Sequence, residues 1–203
     1  MENKIKSTYP SISLQTFNST EVYVADFSER TNSAIGIEFH LSHPSCPKTE
    51  GQLMDCLLIR NPQNLALSFI PFENHLFKDE KGNDMEQCEC CFFPSPTAST
   101  HGNFICFVEI KDCKSKNLSV HKDKAKSQLT TSILEFRRRN IITDKQRVYG
   151  IISFPRMKKL SFNQTILEDY TEYKRLYKQE KIHLLITNLV TVVSEEKVEE
   201  GKL

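Results

Sequence analysis

Apolar and polar positions alternate or cluster in short runs along the first third of the chain. Glu21–Phe27, Ala34–Phe39, Asp55–Arg60 and Ala66–Phe72 read as strands, with Ile35, Ile37 and Phe39 separated by smaller or polar residues. The turn-forming stretch Asn61-Pro62-Gln63-Asn64 sits between two of them, and Ser42–Thr49, with two prolines, reads as a loop. A charged, glycine-containing loop, Lys78–Asp84, separates this portion from the next. Gln87–Phe93 and Phe104–Asp112 then read as two strands joined by a wide connection. Beyond them the period changes. Ala125, Leu129, Ile133 and Phe136 recur at spacings of four, four and three, predicting a helix over Lys122–Asn140 with Arg137, Arg138 and Arg139 in its last turn. Arg147–Phe154 reads as a buried strand. Thr165–Glu180 reads as an amphipathic helix with Ile166, Tyr170, Tyr173 and Tyr177 on its core face. Ile182–Val193 reads as a last strand, interrupted near Asn188, and Ser194–Leu203 as a frayed acidic tail.

From Gln87 onward the order is thus β-β-α-β-α-β. An antiparallel pair followed by α/β crossovers implies an α/β chain with a mixed sheet and helices on its faces. The expected organisation is a β-rich N-terminal portion over 1–83, an α/β core over 84–193 and a flexible tail over 194–203. At 203 residues the chain can bury a core without disulfide staples.

Composition narrows the partners. Lys and Arg exceed Asp and Glu by one, so the net charge is +1. Any nucleic-acid contact therefore has to come from a local basic patch rather than a global excess. Hydrophobic residues make up 38% and charged residues 26%, which excludes a wholly disordered chain. No apolar run reaches membrane-spanning length, and MENKIKSTYP has no apolar signal segment. The seven cysteines, an odd number partly buried in apolar runs, suit reduced thiols and a cytoplasmic location. The triplets at Asn18, Asn117 and Asn163 would then stay unmodified.

Chemistry concentrates on Phe104-Ile105-Cys106-Phe107-Val108-Glu109-Ile110-Lys111. Side chains alternate faces in a strand, so Phe104, Cys106, Val108 and Ile110 share one face while Glu109 and Lys111 share the other. Two charges at the end of an apolar strand are costly unless exposed, paired or bound to metal. A carboxylate can hold a divalent cation, and a neighbouring ammonium can stabilise charge on a phosphate. Glu89, on the preceding strand, is the best second carboxylate, with Asp84 and Glu86 as alternatives. Cys88 and Cys91 have Cys-x-x-Cys spacing, but no second such pair occurs and an extended strand would point them to opposite faces; buried free thiols are the better reading than zinc. No P-loop, dinucleotide fingerprint or HExxH motif occurs, and no local motif supports a catalytic Cys–His pair.

Glu89, Glu109-x-Lys111 and a following helix carrying Gln128 together resemble the PD-(D/E)xK nuclease superfamily; FVEIKDC leading to KAKSQLTTSI carries the likeness, over roughly residues 84–190. The resemblance implies a restriction-endonuclease-like core and hydrolysis of phosphodiester bonds in DNA or RNA. It implies Mg²⁺ or Mn²⁺ held by Glu89 and Glu109, Lys111 at the reacting phosphate and Gln128 assisting from the helix. Lys122, Lys124 and Lys126, with Arg137–Arg139, offer a basic helix face for phosphates. Two departures stand out. The first acid is Glu rather than the usual Asp, and strands are predicted where the family has an acid-bearing helix, with Glu73 or Glu80 the nearest acids. A second reading keeps the same core without catalysis, as an interaction module bound to a protein partner or a second copy of itself.

Overall fold

The computed structural model describes residues 1–27, 36–45, 55–73, 75–95, 103–111, 113, 118–157 and 166–201, the side chains of 166–170 and 172 excepted. His101, Asn117, Asn163 and most of the connection after Pro94 lie outside the described residues.

Among the described residues, eleven strands are divided between two sheets: β1 (Gln15–Asn18), β2 (Glu21–Asp26), β3 (Ile37–His40), β4 (Leu57–Arg60), β5 (Ala66–Pro71), β6 (Cys90–Pro94), β7 (Phe104–Ile110), β8 (Arg147–Ser153), β9 (Ile182–Ile186), β10 (Leu189–Ser194) and β11 (Lys197–Glu200). Three described helices accompany them: α1 (Glu2–Thr8), α2 (Leu118–Arg138) and α3 (Ile166–Glu180). The larger sheet runs β1-β5-β6-β7-β8-β9 and the smaller β11-β10-β4-β2-β3. In the larger sheet β1, β5, β6 and β7 are antiparallel to their neighbours, whereas β7, β8 and β9 run parallel, as crossovers through α2 and α3 require. The chain is therefore mixed α/β, as its periodicity predicted.

One face of the larger sheet packs on the smaller sheet. Phe69, Phe92, Phe104, Cys106 and Val108 meet Val22, Val24, Leu57, Ile59 and Val190 there, with Phe69 5.0 Å from Phe39 and 5.3 Å from Phe92 between ring centroids. The opposite face carries the helices: Ile105 and Phe107 meet Ala125, Leu129, Ile133 and Phe136 of α2, Leu176 of α3 and Ile5 of α1. Helices were expected on both faces, but a second sheet takes one of them. Burial on both sides explains why every residue of β7 is buried and why its sequence is apolar almost throughout. Gly150 lets α2 approach, since a Cβ there would stand 3.4 Å from Leu129 Cδ1.

The sheets do not follow the expected division at residue 83. β1 and β5 join the larger sheet, and β10 returns to pair in parallel with β4 of the smaller one. The predicted interruption near Asn188 is the point where the chain leaves one sheet for the other. Asn188 Nδ2 donates to Phe154 O and Met157 O, and its Oδ1 accepts from Ser153 Oγ and Phe154 N.

Two expectations are corrected. The tail is not frayed over 197–200: β11 pairs with β10, and Val198 buries its side chain in the inter-sheet core. The β-rich N-terminal portion also carries a helix that the pattern did not mark, α1, which Ile5 and Tyr9 anchor in the helix-side core. Tyr177 is not a core residue. It is 48% exposed, because the buried line of α3 passes through Leu176 instead.

Candidate active site

The site is set by the register of two antiparallel strands. Cys90 pairs with Val108, so one step further places Glu89 across from Glu109; the Glu89 N–H donates to Val108 O at 3.0 Å and Phe72 N–H donates to Glu89 O at 2.8 Å. Directly opposed residues share a face, and alternation puts that face on the helix side with Ile105 and Phe107. The sequence-predicted pair is thus brought together near the C-terminal end of β7, where β8 continues in parallel and Lys111 N–H donates to Ser153 O. The C-terminal ends of parallel strands are where open α/β sheets ordinarily bind ligands.

Glu109 and Lys111 lie on one face, as alternation predicted, but that face is covered rather than open to water. Glu109 is fully buried and Lys111 is 9% exposed. Lys111 Nζ stands 2.5 Å from Glu109 Oε1, while Glu109 Oε2 has no hydrogen-bond partner. Burial, followed by repulsion from Glu89, pushes the Glu109 carboxyl up to about 8; the Lys111 ammonium opposes this. Near neutral pH burial thus favours the protonated form of Glu109.

Glu89 is half-buried and opens onto a cleft of about 540 Å³, lined also by Gln128 and Lys124 of α2 and by His75, Asp84 and Glu86. Gln128 Nε2 donates to Gln87 O at 2.9 Å, and its Oε1 is buried with no hydrogen-bond partner. The segment Glu86–Cys88 is laced to α2 by this bond, by Ser127 Oγ to Glu86 at 2.8 Å and by Cys88 N–H to Ser132 Oγ at 2.9 Å. The two alternative acids are engaged at the rim: Glu86 with Ser127, and Asp84 with Lys78 in an ion pair and with His75 at 3.8 Å. Glu109 and Lys111 do not line the cleft.

The basic helix face divides. Lys124 is exposed at the cleft. Lys126 pairs with Asp123 at 3.6 Å. Lys122 is 7% exposed and is not a surface cation, because its position falls on the stripe of Ala125, Leu129 and Ile133 that faces the sheet. Arg138 and Arg139 clamp the buried Glu135 at 2.7 and 2.9 Å, and Arg137 holds the end of α3 through Glu180. Arg138 and Arg139 remain exposed while their guanidinium groups engage Glu135. Glu73 and Glu80 lie outside any helix, and the acid of α1, Glu2, accepts a hydrogen bond from Ser68.

All six described cysteines are free thiols, and five are buried. Burial raises Cys88, Cys90, Cys91 and Cys106 far above the ordinary thiol range, which suits inert packing groups. The face argument for Cys88 and Cys91 needs correction. Cys88 precedes β6 rather than lying in it, and both side chains join the helix-side core. Among the described residues no cluster of three or more His, Cys, Asp or Glu is placed to hold a metal, and no helix is long and apolar enough to cross a membrane.

Sequence reasoning missed the cleft rim formed by His75 and Met85, and its only sequence signal was the charged loop before Gln87. No protein-family model, curated protein or solved structure matches this chain.

Proposed function

We propose that this chain is a metal-dependent phosphodiesterase acting on nucleic acid, with Glu89 and Glu109 as the cation ligands. The observation that carries the reading is the register setting Glu89 across from Glu109, with Lys111 Nζ 2.5 Å from the second carboxylate. The donor set fits a small hard cation: two facing carboxylates, one just before β6 and one in β7, the latter fully buried with an oxygen that no protein donor satisfies. A bound Mg²⁺ or Mn²⁺ supplies charge neutralisation at phosphate and an activated water. The protein groups do the rest. Glu109 and Glu89 would hold such a cation, Glu89 from the cleft side, and Lys111, 2.5 Å from Glu109, would set a positive charge beside it. Gln128, fixed by its bond to Gln87 O, offers its unpartnered Oε1 to a donor in the site, and Lys124 supplies a positive charge at the mouth.

The test is cleavage of mixed DNA and RNA substrates with Mg²⁺ or Mn²⁺ against EDTA, with wild type beside Lys111→Ala. Metal-dependent cutting that falls at least about 100-fold in the variant is the expected result, the size of loss typical for a charge acting on the transition state. Full activity in Lys111→Ala overturns the assignment of that residue. No cutting by folded wild type on any substrate overturns the enzymatic reading. The second reading, a non-catalytic interaction module, is favoured by one observation: Glu109 and Lys111 stand outside the lining of the cleft. It predicts stable co-purification with a protein partner and no Mg²⁺ binding at the carboxylates.

A further inference from the structure

A second cleft, of about 750 Å³, lies at the other edge of the larger sheet, along the edge strand β9 and between α3 and β11. Its lining combines aromatic rings with a cationic side and an acidic wall. The Tyr149 and His183 rings stack with centroids 5.1 Å apart at 28°, and Tyr177 tilts over His183 at 4.8 Å. Tyr177 is one of the few large hydrophobic side chains left exposed, and Lys181 lies 5.7 Å from its ring. Arg147, Lys174 and Lys197 line the same cleft. Lys174, Lys178 and Lys181 recur at spacings of four and three, so the cations flank Tyr177 along one side of α3 and its cap. The acidic wall is β11, where Glu199 pairs with Lys197; Glu200, raised by burial, lines the same wall.

An exposed aromatic ring flanked by lysines is the combination that binds single-stranded nucleic acid, the ring taking a base and the cations its phosphates. An acidic peptide would use the cations and leave the ring faces idle. We infer that this cleft is a base-stacking subsite for single-stranded nucleic acid, with the exposed Tyr177 ring taking a base, His183 and the buried Tyr149 packed beneath it, and Lys174 and Arg147 meeting the backbone. The inference rests on the nucleic-acid reading above but requires no cleavage.

The experiment is fluorescence-anisotropy titration of a labelled twelve-residue oligothymidylate, in EDTA, against wild type, Tyr177→Ala, Tyr177→Phe and Lys174→Ala. EDTA removes hydrolysis from the readout, so failure of the nuclease reading and failure of this one are distinguishable. Tyr177→Ala should weaken binding at least about fivefold, the lower end for loss of one stacked base, while Tyr177→Phe retains it. Lys174→Ala should lower the slope of log affinity against log salt by about one. Tyr177 and Lys174 are exposed, so neither substitution threatens folding. Absence of binding by wild type, or equal affinity in Tyr177→Ala, overturns the inference. So does complete competition by an oligoglutamate peptide whose own binding ignores Tyr177→Ala, which would mark the cleft as a peptide site.

Discussion

At the scale of single residues, Glu109 sets the balance of the candidate active site. An ionised carboxylate is expensive in a fully buried position, and the Lys111 ammonium offsets only part of that cost. The consequence is a pH dependence of definite sign. Between the ordinary carboxylate value and about 8, folded Glu109 keeps a proton that the unfolded chain has released. The folded state then binds more protons, so stability falls as pH rises through that window. In EDTA, the stability of wild type minus that of Glu109→Gln should drop by up to about 1.4 kcal/mol per pH unit between pH 5 and 8. Urea unfolding at each pH measures it, and parallel pH profiles would show that burial is not controlling this carboxyl. Adding Mg²⁺ at pH 8 should raise the wild-type unfolding midpoint and leave that of Glu109→Gln nearly unchanged, because ligand binding stabilises only the state that holds it. Equal shifts in both proteins would place the cation elsewhere. The sequence disclosed the identities of this pair and their shared face, since alternation alone decides those. It did not disclose their burial. That depends on helices and a second sheet closing over both faces of β7, and no local pattern separates a covered strand end from an open one.

At the scale of elements, the junction between β9 and β10 carries an unusual share of the architecture. Ile182–Val193 looks like one strand because its residues remain apolar and β-branched across the break. Asn188 converts it into two by taking over the backbone groups that a continuous ladder would have satisfied. It ties the end of β8 and the following turn with two donated and two accepted hydrogen bonds. Asn188→Ala strips partners from Ser153 and the Phe154 and Met157 backbone together, and should cost about 2–4 kcal/mol. Asn188→Asp keeps the acceptors, loses both donors and should fall between alanine and wild type. Chemical denaturation with an unchanged denaturant slope checks both, and a loss below about 0.5 kcal/mol for alanine would mean water replaces the side chain. The helices show the same mixture of legible and hidden information. The four, four, three spacing located α2, and Asn140, with φ of 55°, closes it in a left-handed cap where Ile141 N–H donates to Phe136 O. The tyrosine stripe of α3 misled at Tyr177, because a stripe fixes which residues share a side but not where the neighbouring sheet ends. β9 is the edge strand, and among the described residues no further strand covers that ring.

At the scale of the whole molecule, helices, a six-stranded sheet and a five-stranded sheet form three layers, and the chain crosses between the sheets more than once. Alternation and helical period disclosed most of the elements, but they carry no information about which sheet a strand joins. That is why β5 is expected with the N-terminal portion and β11 as tail, while β1, exposed along most of its length, is not marked as a strand at all. The last of these has the sharpest test. Residues 195–200 are polar enough to look frayed, yet the ladder with β10 and further links bind them to the rest. Val198 is buried in the inter-sheet core and its N–H donates to Tyr149 Oη at 3.4 Å, while Phe104 N–H donates to Glu195 O at 3.1 Å. Deleting the chain after Ser194 therefore removes an apolar side chain from the core and uncovers Tyr149. It should cost about 2–4 kcal/mol, burial of one valine plus the lost backbone bonds. A frayed tail would cost nothing. The same deletion removes the acidic wall of the second cleft while leaving Tyr177, His183 and Lys174 in place. Oligothymidylate binding should then survive, or strengthen as Glu199 and Glu200 leave, even as the unfolding midpoint falls. Binding lost together with stability would instead make β11 part of the nucleic-acid surface, and an unchanged midpoint would return the segment to the frayed tail its composition suggests.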